Sequence, residues 1–330
     1  MPRKKPESSE PSSEAIAKSL SVRCRYCGQK NAVKAGYRNG DAICGKCKLP
    51  LSNEPHKKFA DLSKHDYIHP ADSKALAALR AIPGINTALK SLISVTVETA
   101  IRVTFMASSV KVTPQQCPDI HAKLQIVCTT LGVPMPDLFI MQNPVMNAFT
   151  FGVDKPYIVL HSALLERLSE DETLAVIAHE VGHIHAEHVL YLTAARILEL
   201  LANASVGALL PGSEIVKFIV SAGIGSAILA WARRAELSCD RAALLVTQDP
   251  HAVGRTMMKL AGGTFASKID YELFLEQGRQ FQKDCDEKAL DKFWANLVNA
   301  GQTHPLPIWR VSEILEWVES GQYHELMEKK

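Results

Sequence analysis

Two histidines four residues apart carry the clearest chemistry in this chain. They stand in Ala178-His179-Glu180-Val181-Gly182-His183, an H-E-x-x-H pattern within an apolar, helix-forming run. On a helix, residues four apart share a face, so His179 and His183 can offer two imidazoles to one metal ion. Glu180 points to the side, where it can hold a water activated by the metal rather than the metal itself. Zinc that performs hydrolysis takes three protein ligands and keeps one position open, so a third donor must come from elsewhere.

Nearby candidates fail on geometry. Eight residues of helix would carry Glu187 about 12 Å along the axis from His179. His188 lies five past His183 and would face another side of a continuous helix. The longer pattern H-E-x-x-H-x-x-G-x-x-H is broken, because Ala186 and Val189 stand where its glycine and histidine belong. The best remaining donor is Glu236, in Arg233-Arg234-Ala235-Glu236-Leu237-Ser238-Cys239-Asp240. Asp240, one turn later on the same face, can accept a hydrogen bond from a ligand histidine and fix its tautomer.

These side chains need a scaffold, and its parts can be read in order. Ser169 and Glu172 form a capping box that starts the histidine helix, which the pattern carries through at least Leu192. Helical patterning also covers Ser73 to Lys111, with a break at Pro83-Gly84, and Pro118 to Leu131, stopped by Gly132 ahead of Pro134. Glu98 and Arg102 inside the first region argue against a membrane span. Short apolar runs at Leu138–Met141 and Tyr157–Leu160 read as strands. Between them, Val145 to Gly152 is either a sheet edge that binds an extended peptide by strand addition or an ordinary hairpin. The most apolar stretch, 198–231, reads as a buried or membrane-dipping hairpin, since each uncharged piece is shorter than the ~20 residues that a spanning helix needs.

Near the N-terminus, Cys24-Arg25-Tyr26-Cys27 and Cys44-Gly45-Lys46-Cys47 form two C-x-x-C knuckles separated by sixteen residues. Four thiolates close a tetrahedral shell and leave no open position, so this zinc is expected to be structural. The ribbon is basic: Arg23, Arg25, Lys30, Lys34, Arg38, Lys46, Lys48, Lys57 and Lys58 stand against Asp41 and Glu54. Such a surface suits a docking module, with an acidic protein or anionic lipid as its partner.

The bulk properties set the frame. The 330 residues are 47% apolar and 22% charged, which is globular, and a net charge of +2 gives no reason to expect nucleic acid as a partner. Of the eight cysteines, the four outside the knuckles (Cys117, Cys128, Cys239 and Cys285) are scattered, and no apolar run follows the basic N-terminus. A reducing cytoplasm is expected rather than secretion, with peripheral membrane association through 198–231 left open.

H-E-V-G-H at 179–183 with E-L-S-C-D at 236–240 resembles the gluzincins. More closely, the stretch from Ile120 to Tyr323 is similar to family forty-eight of the metallopeptidases, which includes HtpX and the CAAX prenyl endopeptidases. Asn147-Ala148-Phe149 with Gly152 resembles that family's substrate-facing edge strand. Thr303-His304-Pro305 with Arg310 resembles its Thr-His-Pro segment and following arginine. The resemblance implies that His304 and Arg310 sit near the substrate and help hold the oxyanion of the tetrahedral intermediate. HtpX-type members carry transmembrane helices, some before the zinc motif, where this chain has a ribbon and charged helices.

The expectation is therefore a predominantly helical α+β fold: a gluzincin-type metallopeptidase domain with a small edge sheet, plus an N-terminal four-cysteine zinc ribbon. The boundaries are a disordered tail at 1–20, the ribbon at 21–52, a polar linker at 53–72 and the peptidase domain at 73–330. The expected function is zinc-dependent endopeptidase action on protein or peptide substrates, extending to protein quality control, with one catalytic and one structural zinc. The competing reading is an adaptor that docks through its ribbon and keeps a latent peptidase site.

Overall fold

A computed structural model of the chain describes residues 19–34, 36–37, 42–52, 56–93, 95–203, 223–287 and 307–329. Most of the expected tail, the middle of the apolar stretch 198–231, and His304 lie outside these residues. The chain divides into two compact units, one up to His56 and one from Lys57 onward.

In the first unit, β1 (Ser19–Arg23) and β2 (Lys30–Lys34) pair antiparallel, with Arg23 opposite Lys30. Strand β1 thus begins within the stretch read as tail. Cys24 follows β1 directly, and Gly28 takes a left-handed φ of 74° to turn the chain into β2. The second knuckle is closed by backbone hydrogen bonds from Lys48 N to Cys44 O and from Cys44 N to Leu49 O. Both turns point their sulfurs inward: Cys24 and Cys47 lie 3.7 Å apart, and Cys27 and Cys44 lie 3.6 Å apart.

The second unit opens in the stretch read as a polar linker, which the structure corrects. A single helical turn at Lys64–Asp66 is closed by a capping box between Ser63 and Asp66, and helix α1 (Pro70–Arg80) begins at Pro70. Tyr67 and Asp72 are fully buried there, so the segment is part of the core. Next come α2 (Ile85–Leu92), α3 (Val95–Ser108), β3 (Val110–Lys111) and α4 (Pro118–Leu131). The sequence pattern runs helically from the Pro83-Gly84 break to Lys111, where the structure has two helices and a short strand.

Strands β4 (Asp137–Met141), β5 (Ala148–Phe151) and β6 (Tyr157–His161) complete a sheet of order β3-β4-β6-β5. The β4–β6 pair is parallel, and the other two pairs are antiparallel. β5 therefore lies at an edge, with Ala148 opposite Leu160. All four of its residues are buried, so this edge is covered along most of its length.

Helix α5 (Ser162–Arg167) leads into α6 (Glu170–His185). The expected capping box is present, with Ser169 N donating to Glu172 Oε2 at 2.8 Å. From Glu172 to His183 every residue of α6 is buried, as befits a helix enclosed by its neighbours. It stops at His185 rather than continuing to Leu192, because Glu187 adopts a left-handed φ of 60°. Helix α7 (Val189–Asn203) restarts after this turn, and α8 (Ile224–Thr247) packs across α6. Helices α9 (Pro250–Gly262), α10 (Tyr271–Glu287), α11 (Pro307–Glu319) and α12 (Gln322–Glu328) complete the described chain. The fold is predominantly helical α+β, as the sequence leads one to expect. No helix among the described residues is long and apolar enough to cross a membrane.

Helices α6 and α8 pack closely at Gly182. A Cβ built there would lie 3.0 Å from Ala242 Cβ and 3.3 Å from Cys239 Cα. A large side chain at this point forces the helices apart, and overpacking of this kind costs about 1–3 kcal/mol. Gly182→Leu is expected to lower the unfolding free energy by that amount and to weaken zinc retention, measured by urea unfolding and metal analysis of the purified protein.

Candidate metal centre

Helix α6 presents His179 and His183 on one face, and α8 presents Glu236 toward both. His179 Nε2 lies 3.3 Å from Glu236 Oε2, and His183 Nε2 lies 3.4 Å from Glu236 Oε1. These ligand atoms all fall within 4.8 Å of one another, and all three residues are buried. Two imidazole nitrogens and one carboxylate match the donor set of a hydrolytic zinc site.

A cavity of about 280 Å³ opens beside the cluster. His179, Glu180, Asn147 and Ala148 line it, together with apolar groups including Leu164, Val176 and Met257. The donors therefore fit zinc, with room left for a further occupant.

Carboxylates and one arginine surround the ligands. Asp240 Oδ1 lies 2.9 Å from His179 Nδ1. Arg310, on α11, donates from Nε to Asp240 Oδ2 at 2.8 Å and from Nη2 to Asp240 Oδ1 at 2.5 Å. Its Nη1 lies 3.4 Å from Glu236 Oε2. The resemblance implies an oxyanion role for Arg310, yet the structure engages its guanidinium with the two carboxylates of α8. His304 lies outside the described residues.

Charge balance follows from these contacts. Burial pushes His179 down, but Glu236 and Asp240 outweigh it and raise the imidazole to about 9. At His183 burial prevails, and the ring is lowered to about 4 despite Glu236. Burial would raise Asp240, yet Arg310 and His179 hold it below the usual carboxylate range. The pocket thus favours positive charge between its carboxylates, as a cation site should.

Glu180 has a partner that sequence reading missed. Thr150 Oγ1, on β5, lies 2.8 Å from Glu180 Oε2 and 3.0 Å from the Glu180 carbonyl oxygen. The signal was available, since Thr150 sits in the segment read for its backbone edge, but its hydroxyl was given no role. Asn147 and Ala148 line the cavity, whereas the Phe149 ring packs into the core against Phe105 and beneath Arg196.

His188 is set aside as a third ligand by helix geometry. It is fully buried, with Nδ1 3.2 Å from His183 Nδ1 and Nε2 3.0 Å from Asp72 Oδ2. Cys239 is buried with its sulfur 3.1 Å from His183 Nδ1.

In the first unit, the four cysteine sulfurs also lie within 4.8 Å of one another. Asn31 Nδ2 and Lys46 N approach Cys44 Sγ at 3.7 and 3.4 Å, which suits a sulfur carrying thiolate charge.

Comparison with known proteins identifies the family. Residues 114–318 match peptidase family M48. The chain is 39% identical over 281 residues to the plastoglobule-localized metallopeptidase 48, chloroplastic, of Arabidopsis thaliana, covering 83% of this chain and 78% of that protein. It is 28% identical over 172 residues to protease HtpX homolog 2 of Methanosarcina mazei, covering 46% of this chain and 58% of that protein. With the protease HtpX homolog of Ralstonia pickettii it shares 25% identity over 234 residues, or 66% of this chain and 80% of that protein. The chain belongs to peptidase family M48 and is a zinc metalloprotease.

Proposed function

We propose that this protease is an endopeptidase that cleaves within extended segments of protein substrates. The supporting observation is the three-donor cluster with Glu180 beside it, opening on a cavity walled by Asn147 and Ala148 and by apolar groups. His179, His183 and Glu236 would hold zinc, which would supply Lewis-acid activation of the scissile carbonyl and of an attacking water. Glu180 takes that water's proton and returns it to the leaving amine. Thr150 keeps the Glu180 carboxylate aimed. Asp240 holds the His179 proton on Nδ1, so that Nε2 is free to bind.

Arg310 offsets the charge of Asp240 and Glu236 and so acts as a positioning residue. His304, by its place in the Thr-His-Pro segment, serves as the oxyanion donor. The outward backbone of β5 at Ala148, where the edge begins, pairs with a short length of substrate beside the Asn147 side chain, and Leu164, Val176 and Met257 accept an apolar side chain. Extended, apolar segments are what unfolded proteins expose, which supports a place in protein quality control. The four-cysteine cluster holds a second, structural zinc, and its basic module docks an acidic partner or an anionic membrane surface.

Glu180→Gln tests the mechanism. Zinc content should stay at one ion per cluster, two per chain, while cleavage of an unfolded protein such as casein disappears. Cleavage that survives the change overturns the role of Glu180, and a wild-type chain that holds both zincs but cleaves nothing favours the adaptor reading.

Removing the arginine tests its positioning role. Arg310→Met leaves Asp240 and Glu236 buried without their cation, a change that typically costs about 3–5 kcal/mol. A drop of that size in urea unfolding is expected, together with weaker zinc retention.

The compartment has two readings. Cysteine usage points to the cytoplasm, whereas the Arabidopsis relative is named for plastoglobules and the chloroplast. That relative's 39% identity favours carrying its location to this chain, and cell fractionation with an antibody to the protein separates the two.

A further inference from the structure

His183 has a second ring nitrogen, and its surroundings extend the zinc site beyond the family-matched segment. The turn at Glu187 ends α6 and brings His188 N to within hydrogen-bond distance of His183 O, at 2.9 Å. That turn lays the His188 ring behind His183, with the two Nδ1 atoms 3.2 Å apart. On the far side of the ring, Nε2 lies 3.0 Å from Asp72 Oδ2. Asp72 is fully buried and accepts from Trp231 Nε1 at 2.9 Å and Ser238 Oγ at 2.5 Å.

Proton placement follows from this order of groups. With His183 Nε2 turned toward the metal position it shares with His179 and Glu236, the proton of its neutral ring belongs on Nδ1. His188 can accept that proton's hydrogen bond at Nδ1 only if its own proton is on Nε2. The Asp72 carboxylate beside Nε2 favours that tautomer, and the donors on Asp72 favour its charged form. Cys239 Sγ, 3.1 Å from the same Nδ1, is the weaker acceptor of the two.

We propose that Asp72 and His188 are positioning residues of the catalytic zinc site, holding the His183 proton on Nδ1 so that Nε2 is bare toward the metal. The proposal rests on the reading of His183 as a ligand. It gives the second histidine the support that Asp240 gives the first. It also makes α1 part of the site, although Asp72 lies ahead of residues 114–318, the stretch that matches the family. The adjoining segment is fixed to the same helices. His69 N donates to Ser238 Oγ at 2.9 Å, Arg241 Nη1 donates to Tyr67 O at 3.3 Å, and Tyr67 Oη lies 2.9 Å from His185 Nδ1.

The test uses the full chain loaded with zinc and titrated with a chelator, retained zinc being measured after dialysis. Glu236→Gln identifies the catalytic step in the titration as the one it abolishes or weakens. Asp72→Asn and His188→Gln should each weaken that same step about 10–100-fold, the usual cost of losing a ligand's supporting partner. Tyr67→Phe removes a hydrogen bond from the same segment without touching His188, and it should leave the step in place.

If Glu236→Gln moves the step and the Asp72 and His188 variants do not, the positioning role is overturned while the ligand assignment stands. A step unmoved by Glu236→Gln overturns the ligand assignment itself. A purely structural role would lower the melting temperature of the zinc-free variants and leave the zinc step unmoved. Should the variants fail to fold, nitrogen-15 spectra of the histidines in the wild-type protein decide. A proton on His188 Nε2 and on His183 Nδ1 is expected, and a His188 proton on Nδ1 overturns the proposal.

Discussion

The bare Cα of Gly182 sets the distance between α6 and α8, and the rest of the centre depends on that distance. Side chains at a helix contact determine how closely two axes approach. Here nothing larger than hydrogen separates the histidine helix from Ala242 and Cys239. The approach brings Glu236 within 3.4 Å of both imidazoles, although 53 residues of sequence separate it from His183. The same contact presses Cys239 against His183 and Asp240 against His179.

Close packing of this kind concentrates charge where water is scarce. Glu236, Asp240, Arg310 and both histidines are buried, so each charge must find its partner within the protein. Arg310 faces both carboxylates, and Asp240 also meets His179 Nδ1 at 2.9 Å. Three helices, α6, α8 and α11, are therefore tied through one electrostatic cluster, and displacing any of them strands a charge. Thr150 adds the sheet to this assembly by holding Glu180.

Much of the architecture was legible because it rests on local chemistry. The Ser169–Glu172 capping box, the helix from Pro118 to Leu131 and the strand runs around 138 and 157 each declare themselves within a few residues. The fold class and the family also follow from short motifs. What escaped depends on tertiary context. Glu187 breaks its helix without the glycine that normally marks a left-handed turn, so the pattern reads straight through to Leu192. Asp72 lies in a stretch polar enough to pass for a linker, and only the surrounding donors Trp231 and Ser238 make its burial affordable. Arg310 was noticed, but its partners are 70 and 74 residues away, a pairing that no local pattern encodes.

The turn at Glu187 has one more consequence, which concerns salt. A non-glycine residue held at a φ of 60° costs of order 1–3 kcal/mol. The Glu187 carboxylate meets Lys64 Nζ at 2.7 Å and Arg80 at 3.2 Å, both from the segment around α1. Exposed pairs of this kind contribute about 0.2–1 kcal/mol each and fade as ions screen them, whereas the backbone cost does not change. The bend that seats His188 is thus the part of the centre most sensitive to ionic strength, pinned from the surface by two cations while its inner face stays dry.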